Sequence, residues 1–181
     1  AWLHRLDELM LRQDNEPFKQ ACARYLGKVM DQVRDLQVAP PGAGAAAVND
    51  VTALSGDEES LDVVAGRGVP VILMHMQGAP QTMQDDPRYD HAALDIYDAL
   101  GRRVGACLAA GIPRAAIAID PGIGFGKYLQ HNLALIQSCG VMAKRLKRPI
   151  LMGVSRKSFL GELTKRSVDQ RAFGTAAAVT A

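Results

Sequence analysis

The chain lacks a surplus of charge of either sign: 21 Lys and Arg stand against 19 Asp and Glu, leaving a net charge of +2 over 181 residues. Interleaved in this way, the charges provide no electrostatic footprint for a nucleic-acid backbone, which excludes that class of partner and leaves a small molecule as the expected one. Cysteine is also sparse. Cys22, Cys107 and Cys139 are an odd number without metal-ligand spacing, so reduced thiols and a cytoplasmic protein are expected. No signal-peptide pattern and no apolar run long enough to cross a membrane is present, so no membrane partner is expected. Two phosphate-binding motifs fail at the residues that would carry them. A Walker loop needs a glycine five residues before Gly126-Lys127 and Ser or Thr after it, where the sequence has Pro121 and Tyr128; a dinucleotide fingerprint needs two residues between its last glycines, and Gly124 and Gly126 are separated by one.

What is present, at 48% apolar and 22% charged residues, is an ordinary globular composition with enough apolar side chains for one sizeable core. From Ala45 onward, short apolar runs alternate with longer amphipathic ones, the pattern of parallel βα units. Strands are expected over Ala45 to Asn49, Val69 to Met74, Ala115 to Asp120 and Pro149 to Val154. The helices between them are expected from Gly56-Asp57 through about Ala65, closed by Gly66 or Gly68, and from Asp90 along the stripe Ala93, Ile96, Leu100, Val104 and Leu108 until Gly111-Ile112-Pro113. Further helices are expected around Leu133, Ile136 and Met142, from Ser158 to Leu163, and from about Gln170 onward. Residues 1–44 read as a helical arm: Leu3, Leu6, Leu9 and Met10, then Tyr25, Leu26, Val29, Met30 and Val33, with a linker-like Ala39 to Gly44 after them.

Every expected strand ends in something polar or unusual. The first ends at Asn49-Asp50, the second at Met74-His75-Met76-Gln77-Gly78, the third at Asp120 before the glycine-rich Pro121 to Lys127, and the fourth at Gly153-Val154-Ser155-Arg156-Lys157-Ser158. Carboxyl ends of parallel strands face the ligand in α/β folds, so these residues converge although they are far apart in the chain. Each also has a plainer reading. Asn49 could hold a turn, Asp50 or Asp57 could cap a helix, His75 between two methionines fits a core histidine better than a metal ligand, and Arg156 and Lys157 could be solvated. The glycine loop alone could be a tight strand-to-helix turn.

Together, Val48 to Val51, Leu73 to Gln84, Asp120 to Lys127 and Met152 to Ser158 resemble dihydropteroate synthase, a member of the pterin-binding family, over about residues 45–181. The resemblance implies a TIM-type (β/α)8 barrel that condenses 6-hydroxymethyl-7,8-dihydropterin diphosphate with p-aminobenzoate, releasing pyrophosphate with Mg²⁺, in the folate-synthesis step that sulfonamides block. It implies that Asp120 and Asn49 hydrogen-bond the pterin, that Met74 lines its pocket, and that Phe125 and Gly153 border the substrates. Lys157 is implied at the pterin acceptor edge as the catalytic residue, and Ser158 at the carboxylate of p-aminobenzoate. A pterin's aminopyrimidinone donor pair suits a buried carboxylate, and an amide such as Asn49 both donates and accepts.

A full barrel of this type takes about 250 residues. The four expected strands would correspond to the fourth through seventh, with the earlier strands and the eighth, and with them the metal and pyrophosphate ligands, not found in the sequence. An incomplete barrel leaves unpaired edges, so a homo-oligomer is expected. Two alternatives carry different chemistry: a pterin-binding methyltransferase domain, and a catalytically silent pterin-binding protein.

Overall fold

The computed structural model describes residues 47–181; the expected helical arm and linker over residues 1–44 lie outside them, as does the start of the first expected strand. Two compact units divide the described residues, the first ending at Gly153 and the second being Val154–Ala181. The first is a parallel α/β layer. Strands β1 (Val48–Asp50), β2 (Val71–Met74) and β3 (Ile117–Asp120) lie in the order β1-β2-β3, all parallel, with helix α1 (Ser60–Arg67) between the first two and α2 (Ala92–Ala109) between the second and third. Helix α3 (Leu129–Leu146) follows β3 and packs against α2, which in turn covers β2. Strands β2 and β3 are short apolar runs, almost wholly buried, as expected of parallel strands covered on both faces. Val71, Leu73, Ile117 and Ile119 from the sheet meet Ile96 and Leu100 of α2 and Leu135 of α3 in the core, each at most 1% exposed.

Within the described residues, the first three expected strands and the expected helices are present with shifted ends. Strand β1 runs Val48–Asp50, and β3 starts at Ile117 because Arg114–Ala116 form a 3-10 turn. On α2 the buried stripe closes on Cys107, three residues after Val104, and not on Leu108. Helix α1 starts at Ser60 instead of Gly56-Asp57. The intervening residues are spent on turns, with Glu59 N–H donating to Asp57 Oδ1 (2.8 Å) and Ser60 Oγ donating to Asp57 O (2.9 Å). Of its two candidate closing glycines Gly68 serves: it is left-handed (φ 64°) and donates to the carbonyls of Val64 and Ala65.

The fourth expected strand, Pro149 to Val154, does not form. Ile150 makes one isolated parallel bridge to Ile119, flanked by Ile119 N–H to Pro149 O (3.0 Å) and Leu151 N–H to Ile119 O (2.8 Å). The next rung would need an N–H from residue 121, which is proline, so the ladder stops there. The second unit contains helix α4 (Ser158–Thr164), a 3-10 turn over Val168–Gln170, and helix α5 (Ala172–Thr180), with Phe159, Leu160, Ala177 and Ala178 buried. No helix of the described residues is long and apolar enough to cross a membrane.

Candidate active site

The strand register sorts the polar residues by face. Asn49 pairs with Ile72 and Ile72 with Ala118, while Met74 pairs with Asp120. In-register neighbours on parallel strands point the same way and residues two apart share a face. Asn49, Met74 and Asp120 therefore lie on one face of the sheet, at its carboxyl end, opposite the Leu73 and Ile119 face that α2 and α3 cover. Asp120 is 5% exposed and Met74 4% exposed, while Asn49 is exposed. The Asp120 carboxylate accepts the Gly122 N–H at 2.7 Å, and its backbone carbonyl accepts the His75 N–H at 3.0 Å.

The loop after β3 lies directly on the residues that follow β2. Gly122 is left-handed (φ 68°), and a methyl group there would stand 1.9 Å from the His75 carbonyl oxygen; at Gly126 (φ 61°) it would stand 2.5 Å from that of Gln77. Only glycine permits both the backbone angle and the approach. Side chains from the surrounding elements hold the loop in place. Asn132 of α3 is 2% exposed, and its Oδ1 accepts the Gly124 N–H (2.8 Å). Gln84 donates to Gly124 O, and the Tyr89 hydroxyl donates to Gly126 O (2.8 Å). Phe125, half-buried, closes the turn by donating its N–H to Gly122 O (3.0 Å).

Lys127 ends this loop at 3% exposure, donating to Phe125 O (2.8 Å) and His75 O (3.2 Å), with its Nζ 3.2 Å from His75 Nδ1. Burial, reinforced by the Lys127 charge, lowers the His75 pKa to about 4, so the ring is neutral, and in the tautomer protonated at Nε2 its Nδ1 accepts from the ammonium. Tyr89 stands between two histidines, 6.1 Å from the His75 ring and 4.9 Å from that of His131. Burial, and then the Asp95 charge, push its phenol up to about 12.

After β1 a second loop is held as firmly. Ala53 and Leu54 are both left-handed (φ 53° and 59°), an arrangement disfavoured for residues with a Cβ. Asp50 Oδ1 accepts from Thr52 N (2.7 Å), Thr52 Oγ1 (2.6 Å) and Leu54 N (3.2 Å), while Arg103 of α2 donates to the carbonyls of Ala53 (2.7 Å) and Leu54 (2.8 Å). Partial burial would raise the Asp50 pKa, but these hydrogen bonds and Arg103 outweigh it and hold the carboxyl below its ordinary value. Asp50 thus holds the loop, where the plainer reading had it capping the following helix, and Asn49 keeps the sheet face it shares with Met74 and Asp120. Thr52, Ser55, Met74, His75 and Arg103 line part of a cavity of about 380 Å³ beside this loop.

Of the expected site residues, the first unit brings Asn49, Met74 and Asp120 onto one face, with Phe125 on the loop that Asp120 anchors. Gly153 is half-buried and lies two residues beyond Leu151, which is bonded to β3. Lys157 and Ser158 belong to the second unit. There, Lys157 is half-buried at the residue before α4, and Ser158 is exposed at the helix's first position. Arg171 donates to the carbonyls of Arg156 (3.1 Å) and Lys157 (3.4 Å), with Gly161 leaving room for its guanidinium. Asn132, Tyr89, Gln84, Arg103 and Arg171, which hold these backbone segments, were not expected from the sequence. Asn132 carried one signal, a polar residue in phase with Leu135 and Ile136 on the buried helix face. Among the described residues no three His, Cys, Asp or Glu side chains come together as a metal site.

Comparison with known proteins bears on this arrangement. The chain is 40% identical over 130 residues to the dihydropteroate synthase of Haemophilus influenzae, covering 72% of this chain and 46% of that one. Among solved structures, the Yersinia pestis dihydropteroate synthase in a sulfonamide drug complex superposes with a TM-score of 0.70 at 39% identity, covering 75% of this chain and 48% of that one. The Thermus thermophilus enzyme in complex with 6HMPPP gives a TM-score of 0.69 at 39% identity, covering 75% and 53%; the same enzyme has also been solved with 4-aminobenzoate. The chain spans about half the length of the relatives it matches. These relatives are of the TIM-barrel type, with which the partial parallel sheet agrees. The model of the pterin binding enzyme family matches residues 35–181, the stretch that carries the strand ends, the seated glycine loop and buried Asp120, and the chain belongs to that family.

Proposed function

We propose that this chain carries the pterin-binding part of a dihydropteroate synthase site, joining 6-hydroxymethyl-7,8-dihydropterin diphosphate to p-aminobenzoate. The observation that carries the reading is buried Asp120 on the same sheet face as Asn49 and Met74, in a chain about 40% identical to dihydropteroate synthases. Asp120 and Asn49 hold the aminopyrimidinone edge, Met74 packs on the ring, and Phe125 and Gly153 border the substrates. Lys157 donates to the pterin acceptor edge and Ser158 to the carboxylate of p-aminobenzoate. In the reaction the arylamine nitrogen bonds to the pterin methylene carbon as the C–O bond to the diphosphate breaks. Pyrophosphate departs with the electron pair and the nitrogen loses a proton. With a good leaving group and a nucleophile that is already competent, positioning and charge stabilisation supply most of the rate.

The three strands and the Ile150 bridge are read as the fourth through seventh strands of the barrel. The family implies Mg²⁺; among the described residues no three His, Cys, Asp or Glu side chains come together, and the roles above assign none of them to a metal. Free thiols at Cys107 and Cys139 support a cytoplasmic location. Among the described residues β1 pairs with β2 alone, an edge of the kind that recruits a further strand, which supports self-association, and light scattering checks it.

Thermal-shift measurements of this chain with 6-hydroxymethylpterin and with a sulfonamide test the reading. Both should stabilise it; a pterin response with no sulfonamide response would favour a methyltransferase-type site, and neither response would refute pterin binding. Asp120→Ala should leave the domain folded and weaken pterin binding on calorimetry. A charge-assisted contact is worth roughly 1.5 to 3 kcal/mol, so a paired one amounts to about 10²-fold or more in affinity. Unchanged affinity in the folded variant would remove Asp120 from the site.

A further inference from the structure

We infer that Lys127 is a positioning residue: its buried ammonium ties the Phe125 carbonyl to the end of β2 and so holds the substrate-bordering loop in its binding shape. The inference rests on the pterin reading above for what the loop borders, and on geometry for the tie itself. A lysine at 3% exposure is costly to bury unless its charge meets acceptors. Among the described residues its acceptors include Phe125 O at 2.8 Å, His75 O at 3.2 Å and His75 Nδ1 at 3.2 Å. The first belongs to the glycine loop and the other two to the residue after Met74, so one ammonium spans both segments.

Its neighbours explain why the tie matters. Gly122 and Gly126 let the loop lie against the carbonyls of His75 and Gln77, but a glycine-rich backbone has the largest conformational freedom to lose on ordering. Asn132, Gln84 and Tyr89 grip Gly124 and Gly126 from the helix side and the preceding loop. Lys127 grips the residue between those two glycines, Phe125, and does so from the β2 end that also carries Met74. Loosening it frees Phe125 and the strand end together. Arginine cannot take over, because a planar fork is wider than a compact ammonium that points three donors into a closed space.

The test uses the 181-residue chain with Lys127→Met, of similar length without charge, and Lys127→Gln, which keeps an uncharged N–H donor group. In a folded variant, the amides of residues 122–127 and of Met74 and His75 at the end of β2 should exchange roughly tenfold faster or more, with α2 and the start of β2 unchanged. The dissociation constant for 6-hydroxymethylpterin should rise roughly tenfold or more in Lys127→Met and less in Lys127→Gln. Uniform exchange across the domain, or unchanged loop exchange, would overturn the inference. So would unchanged affinity in a variant of a wild type that binds pterin. If the wild type does not bind pterin at all, the proposed function fails while loop exchange still decides whether Lys127 holds the loop. Failure of both variants to fold would assign Lys127 to stability alone and also overturn it.

Discussion

Adding a single methyl group at Gly122 should undo both the loop and the site. In Gly122→Ala the Cβ would stand 1.9 Å from the His75 carbonyl oxygen and 3.1 Å from its carbonyl carbon, at φ 68°. The left-handed backbone costs an alanine roughly 1–2 kcal/mol, and forcing atoms into a packed space costs roughly 1–3 kcal/mol more. The obstacle is backbone whose own N–H is bonded to Asp120 O, so no flexible side chain can swing aside. A total of about 2–5 kcal/mol is a large part of the roughly 5–15 kcal/mol that keeps a domain folded. At about 2–4 °C per kcal/mol for a chain of this size, Tm should fall by about 4–20 °C on thermal denaturation followed by circular dichroism. The only relief is to lift the loop, which breaks the Gly122 N–H bond to the Asp120 carboxylate. Pterin affinity should therefore fall in whatever fraction stays folded. A Gly122→Ala protein melting within 2 °C of wild type, an interval of about 1 kcal/mol or less, would show that the loop is not seated against the end of β2.

The same substitution should act oppositely at Gly105, which is exposed within α2 with nothing within 4 Å of an added Cβ: Gly105→Ala should stabilise by roughly 0.5–1 kcal/mol, read as a higher urea midpoint. Lys157→Ala, at a half-buried position, should destabilise by about 1 kcal/mol or less, yet weaken pterin binding; unaltered affinity would place the lysine outside the site. Stability should also depend on pH through His75, which faces Lys127, Asp95 and Tyr89 and has a pKa of about 4 in the folded chain against an ordinary 6.5. Between those values the unfolded chain holds a proton that the folded chain does not, so stability is intact above pH 6.5 and declines toward pH 4, by at most about 3 kcal/mol. His131, also lowered by burial and then by Lys127, adds in the same sense. Urea titrations from pH 7.5 to 4.5 should show that slope and its reduction in His75→Gln; an equal slope in both would assign it elsewhere.

The helices were legible because a 3.6-residue apolar period survives in the sequence: Ala93, Ile96, Leu100 and Val104 are buried as their spacing requires. Where the period allowed either Cys107 or Leu108, packing against the sheet chose Cys107. Pro149 to Val154 reads as a strand by composition, but its ladder depends on donors from β3, and Pro121 has none to give. The place of Asp120 was legible because a buried strand that runs into a glycine loop brings its last residue to the carboxyl end of the sheet. Lys127 was not, because its role depends on a carbonyl and an imidazole 52 residues away.

By itself the sequence determined the order of strands and helices, the family, and the chemical types gathered at the strand ends, because apolar periodicity and short motifs are local properties of the chain. Tertiary structure alone decided the register that puts Asn49, Met74 and Asp120 on one face, and the division of labour between adjacent Asn49 and Asp50. It also decided the seating of Gly122 and Gly126 on the residues after β2 and the burial of Lys127 against His75. Each of these is a distance between atoms remote in sequence, set by which backbone donors and acceptors meet across the sheet and by how closely a residue without a Cβ lets two segments approach.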